Sequence, residues 1–97
     1  MLNSPLLILE IQNYANSLII CDKLSKAADL KLEHQQTSLG GRLVTLVFSG
    51  TTSDCKYARD IAAGTYEGTK LLKVCETIDR PSEQLLNYFE TGDFNYE

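Results

Sequence analysis

Between Pro5 and Phe89 the apolar pattern switches repeatedly between a strand period and a helix period, and the order of those switches leaves few folds open. Pro5 to Gln12 (PLLILEIQ) is a short aliphatic run that suits a largely buried strand. Asn13 then offers a helix N-cap. Tyr14, Leu18, Cys21, Leu24 and Ala28 advance by three or four, which predicts a helix over 14–28 with those residues along its buried face. Leu30, Leu32 and His34 alternate with Lys31, Glu33 and Gln35, the period of a half-exposed strand. The turn-rich break TSLGG at 37–41 separates it from a second strand-like run, Arg42 to Ser49 (RLVTLVFS). Gly50 ends that run, and Thr51, Thr52, Ser53 and Asp54 are N-cap candidates for a helix with Cys55, Ala58, Ala62 and Thr65 on one face. Glu67 and Gly68 close it. A fourth strand follows over 69–78 (TKLLKVCETI). Asp79, Arg80 and Pro81 break it, and Ser82 caps a short helix whose Leu85, Leu86 and Phe89 can dock. The tail from Glu90, with Phe94 and Tyr96 near its end, reads as an acidic, frayed terminus.

The order is β-α-β-β-α-β-α. A split β-α-β arrangement of this kind folds as a four-stranded antiparallel sheet with helices on one face, the ferredoxin-like α+β class. That fold hosts many unrelated functions, so it decides nothing about activity. At 97 residues there is room for one core only. No uninterrupted apolar run is longer than that of Leu6 to Leu9, far short of the roughly 20 residues a bilayer span needs. The first residues have neither a basic start nor a small-residue cleavage site, so the reading is a soluble cytoplasmic domain without a signal peptide or membrane partner. Nine Lys and Arg against 13 Asp and Glu give a formal charge of −4, with the basic residues scattered singly, which argues against nucleic acid as a partner. So small a domain leaves much apolar surface uncovered, and oligomerisation is the natural remedy.

Catalytic chemistry finds little support. His34 is the one histidine, and no nucleophile elbow accompanies it; a hydrogen-bonding structural role is the commoner one for such a residue. Glu10, Asp22 and Asp60 fall in different elements and mark no acid–base pair. Cys21, Cys55 and Cys75 are odd in number, widely spaced and not in CxxC pairs, which fits reduced buried thiols better than a metal site or a disulfide frame. Gly40 and Gly41 lie between two strands, whereas a phosphate-cradling loop opens onto a helix, so a hairpin turn is the simpler reading. No cofactor, metal or catalytic residue is expected.

Several local segments, in order, resemble the hexamer-forming, single-domain shell proteins of bacterial microcompartments. The first strand with Glu10, the helix end Asp22 to Leu30 (DKLSKAADL) with Lys26, and the Gly-rich stretch Leu39 to Thr45 (LGGRLVT) are similar to that family's. So are Gly50 at a strand end, Lys56 and Asp60 on the second helix, and the I-x-R-P stretch with Ile78, Arg80 and Pro81. The resemblance implies a structural protein, not an enzyme, with residues 5–89 as one shell domain followed by the tail 90–97. It implies a homohexameric ring that tiles with other shell proteins into facets of a shell within the cytoplasm, the enclosed enzymes being further candidate partners. Ser38, Leu39, Gly40, Gly41 and Arg42 would line a pore on the sixfold axis that passes small polar metabolites. Lys26 and Arg80 would meet across the edges of neighbouring rings.

This chain also departs from the family pattern. No lysine precedes Leu39, Arg42 stands where a glycine is usual, and the loop is about one residue longer before Leu43. Asn13 replaces a glycine after the first strand, Thr51 stands where an Asp is common, and the second helix carries Tyr57, Arg59 and Tyr66 in place of small residues. Arg42 either places positive charge near the axis or turns to pair with an acid. Together the changes suggest a divergent shell component. The alternative from another class is a small ligand-binding or regulatory ferredoxin-like domain.

Overall fold

The computed structural model describes residues 4–91 in backbone and side chains through Tyr88. Four strands form one antiparallel sheet in the order β2-β3-β1-β4, made of β1 (Leu6–Gln12), β2 (Lys31–Ser38), β3 (Leu43–Ser49) and β4 (Leu72–Ile78). The helices are α1 (Tyr14–Ala27), α2 (Thr52–Thr65) and α3 (Glu83–Thr91). The expected α+β class and its split β-α-β order are therefore present.

The centre of the sheet is the β1–β3 pair, in register from Leu6 opposite Ser49 to Gln12 opposite Leu43. Leu7, Leu9 and Ile11 alternate toward the helices and pack with Val44, Leu46 and Phe48, then with Ile20 and Leu24 of α1 and Cys55, Ala58 and Ala62 of α2. The small side chains of α2 let its axis approach the sheet closely. Thr51 caps that helix: its hydroxyl oxygen accepts from the Asp54 N–H at 3.0 Å. Tyr66 ends it, and its hydroxyl donates to the Asn16 carbonyl of α1 at 3.3 Å.

α1 and α2 share one face of the sheet, as expected. α3 lies on the other, where Leu86 packs against Leu6 and Val47 with Ile8, Ile78 and Leu85 around them. β1 is thus covered on both faces at its Leu6 end, which is why Pro5–Gln12 reads as a nearly continuous aliphatic run. Ser82 starts α3, its hydroxyl accepting from the Leu85 N–H at 3.2 Å. The expected docking of Phe89 and the acidic tail with Phe94 and Tyr96 lie outside the described side chains.

Two expectations about which residues face the core are corrected. α1 buries Ser17, Ile20 and Leu24, whereas Tyr14 and Leu18 are 46% and 51% exposed. The helix is turned by less than one residue step from the expected face. Leu18–Ile19–Ile20–Cys21 is apolar on every side, so period alone cannot set the phase. Ser17 tolerates burial because its hydroxyl donates to the Tyr14 carbonyl at 2.6 Å. In β2 the strict alternation fails at Glu33, an extra residue between Leu32 opposite Phe48 and His34 opposite Val47. The bulge sends Leu32 toward the helix face and His34 toward the α3 face. The Glu33 carboxylate fills the space, accepting from the Ser49 hydroxyl at 2.5 Å.

Gly50 sits where the end of β3 passes the α1–β2 connection, and a Cβ there would lie 2.8 Å from Leu30 Cδ2 and 3.0 Å from the Asp29 carbonyl. Gly64, in the last turn of α2, has open space around its missing Cβ. Gly50→Ala is therefore expected to destabilise by about 1–3 kcal/mol through overpacking. Gly64→Ala should stabilise by about 0.4–1 kcal/mol through lower chain entropy. Urea unfolding at fixed protein concentration reads both.

Candidate functional site

The expected pore segment is the loop that closes the β2–β3 hairpin. Ser38 opposite Leu43 is the last strand pair, and Leu39–Gly41 form a tight turn with φ of 54°, 67° and 88°. Three consecutive left-handed residues reverse the chain abruptly, which the two glycines allow freely. Leu39 pays about 1–2 kcal/mol to take that conformation. Its carbonyl is the anchor of the turn: it accepts from the Arg42 backbone N–H at 3.3 Å and from Arg42 Nε at 3.1 Å. The Arg42 carbonyl in turn accepts from the Asn13 N–H at 2.8 Å, which ties the loop base to the β1–α1 junction. Nothing packs on the tip. Leu39 is 64% exposed, and a Cβ at Gly40 or Gly41 would meet nothing within 4 Å.

Arg42 does not turn to pair with an acid among the described residues. It is exposed, and one of its nitrogens is committed to bracing the loop. Asn13, in the glycine's place, has φ 80°, and its side-chain oxygen caps α1 by accepting from Ala15 N at 2.8 Å and Asn16 N at 3.2 Å. Between the loop and this helix start lies a depression of about 350 Å³ lined by Gln12, Asn13, Asn16, Gly40, Gly41, Arg42 and Leu71. The sequence singled out the loop and Asn13, but nothing in it placed Gln12, Asn16 or Leu71 beside them: the β1–β3 register brings the loop base to Gln12, and Leu71 arrives on the β4 side of β1, its carbonyl accepting from the Gln12 N–H at 2.8 Å.

The two expected edge residues lie at the far end of the sheet. Lys26 is at the C-terminal end of α1, pairs with Asp22 at 2.9 Å and keeps its side chain 75% exposed. Arg80 follows β4 and is exposed. α1 ends where Lys31 meets Ser49, and β4 ends where Ile78 meets Leu6, so both residues belong to the Leu6 end. The loop is at the Gln12 end, separated by the length of the strands, roughly 20 Å.

The other chemically suggestive residues are spread apart. His34 stands beside Tyr88 of α3 with ring centroids 6.1 Å apart. The Tyr88 hydroxyl donates to Gln36 Oε1 at 3.5 Å, and His34 Nε2 lies 3.5 Å from the same oxygen, so this group ties α3 to β2. The Cys55 thiol points to the Pro5 carbonyl at 3.7 Å and that of Cys75 to the Arg59 carbonyl at 3.6 Å. Burial pushes both thiols up, as it does Cys21, and the acids near each add to the shift. Raised thiols are protonated and inert at neutral pH. No group of His, Cys, Asp or Glu among the described residues has the spacing to hold a metal ion.

The sheet thus carries a braced, uncovered glycine loop at one end and exposed basic residues at the other. Residues 6–81 match the sequence model of the BMC domain, and the chain belongs to this family of bacterial microcompartment shell proteins. Its domains are structural rather than enzymatic. Comparison with curated proteins gives no significant match. Among the described residues, no helix is long and apolar enough to cross a membrane.

The exposed tip and the positive φ at Gly40 together set an expectation for the loop. Gly40→Ala should cost about 1 kcal/mol through left-handed strain alone and leave the subunit folded, since no atom stands in the way. Thermal unfolding of the variant checks this; loss of the folded state would mean the loop carries the fold.

Proposed function

We propose that this shell protein closes into a cyclic homohexamer with the 38–42 loops around a central pore, and that the rings tile with other shell proteins through the opposite end of the subunit. The observation that carries the reading is the polarity of the sheet: Ser38 to Arg42 at one end, Lys26 and Arg80 at the other. A radially placed wedge needs this layout, because the elements meeting at the axis must be slim and those at the rim must reach a neighbour. Glycines at 40 and 41 let several copies of one loop converge without side-chain collision.

The flanks of the subunit agree. α2 packs against one side of α1, where Lys23 Nζ donates to the Thr65 hydroxyl at 2.9 Å. β2 is an edge strand on which only Glu33 and His34 are even half-buried. Tyr14, Leu18, Ile19 and Tyr57 remain about half exposed on the helices, together with Leu32 on β2. A head-to-tail ring would cover such flanks and supply stability that so small a core lacks. The shell would lie in the cytoplasm, the protein would act as a barrier and not as a catalyst, and the pore would pass small polar metabolites of the enclosed enzymes by width and polarity.

At the rim, Lys26 would extend its stem along the neighbouring ring and offer its ammonium to backbone carbonyls near Arg80. Within the subunit it makes only the exposed pair with Asp22, of the kind worth little to stability. Lys26→Ala is therefore expected to leave unfolding and ring mass unchanged while abolishing two-dimensional sheets in electron micrographs. Sheets as extensive as those of the parent protein would remove Lys26 from the edge.

A further inference from the structure

We propose that the depression between the hairpin loop and the start of α1 binds the oxyanion group of a small metabolite, a carboxylate or phosphate on a short stem, with Arg42 as its charge partner. All of its lining residues belong to one subunit, and Gly40, Gly41 and Arg42 among them are also part of the proposed pore loop. Among its lining residues only Arg42 is charged and none is acidic, although the chain as a whole carries a formal charge of −4. An anion is therefore attracted here without a competing carboxylate on the walls.

The guanidinium is held in place as well as present. Arg42 Nε donates to the Leu39 carbonyl at 3.1 Å, which fixes the plane of the group, while its terminal nitrogens make no hydrogen bond or ion pair with any described residue. Those nitrogens are the pair that forms two parallel bonds to a carboxylate or phosphate. Of the carboxamides around it, Asn16 Nδ2 donates to the Gln12 carbonyl at 3.3 Å, which leaves that group one further N–H. Because Asn13 Oδ1 accepts from two backbone amides of α1, the part of that side chain left for a ligand is its NH₂ donor. The same cap occupies the Ala15 and Asn16 amides, so the seat is built from side chains and not from the helix end. Leu71 gives an apolar wall for a carbon stem. A volume of about 350 Å³ lies at the small end of ligand pockets, which suits a metabolite of a few carbons and not a nucleotide.

The test uses glycerol 3-phosphate, inorganic phosphate and glycerol against the full chain, with calorimetry for affinity and backbone amide shifts for location. The expected result is saturable binding of glycerol 3-phosphate on the order of millimolar, weaker binding of phosphate at the same amides, and none of glycerol. The shifts should cluster at 12–16, 40–42 and 71. Arg42→Gln should weaken glycerol 3-phosphate by about tenfold or more. Since Arg42 also braces the loop, Asn16→Asp is the second variant: it puts a carboxylate into the depression without touching the loop and should abolish binding. Shifts that rise linearly without saturation, cluster elsewhere, or persist unchanged in the Asp variant would overturn the proposal.

Discussion

The pairing of β1 with β3 is the contact on which the rest of this molecule depends. Both strands are central, and Leu6, Leu7, Leu9 and Ile11 with Val44, Leu46, Val47 and Phe48 are essentially inaccessible to solvent. A one-residue slip in that register would turn Leu7, Leu9 and Ile11 away from α1 and α2 and bring Glu10 into the main core, so the register is strongly held. From it follow the positions of the proposed pore loop and edge residues. Gln12 opposite Leu43 brings the β1–α1 junction to the base of the hairpin loop, and Leu6 opposite both Ser49 and Ile78 gathers the ends of α1 and β4 at the far end.

The loop shows how a rigid frame can carry a strained turn. Leu39 in a left-handed conformation is unfavourable by itself, yet its carbonyl receives two hydrogen bonds from one arginine and the loop base receives a third from Asn13. Arg42, which stands in a usual glycine's place, is itself unstrained at φ −82° and offsets the strain at Leu39 with its hydrogen bonds. The substitution also brings a positive charge to the mouth of a depression, so the same residue serves loop geometry and charge. The rest of the subunit leaves a polar edge strand and half-exposed apolar side chains on two helices, which the proposed ring would cover.

Much of the fold was legible because local signals agreed with tertiary demands. The aliphatic β1, the small face of α2, the Thr51 cap and the glycine stop at 50 all fell where propensity, period and capping chemistry concurred. The phase of α1 was not legible, since a continuous apolar run offers several faces and only packing against the sheet and α2 chooses among them. Nor was the Glu33 bulge, which depends on a hydroxyl of the partner strand sixteen residues away. α3 carried its docking residues in sequence, but which face of the sheet it covers is set by what the two long helices leave open. At the site, the glycines announced a turn, whereas the partners of Arg42 and the depression beside it are products of strand register.

Ring closure is the central claim, and the mass of the intact assembly tests it most directly. Native mass spectrometry of the purified chain across a range of concentrations should show a dominant species near six times 10.8 kDa, about 65 kDa, that persists on dilution. A dominant monomer, dimer or trimer at every concentration would contradict the homohexamer.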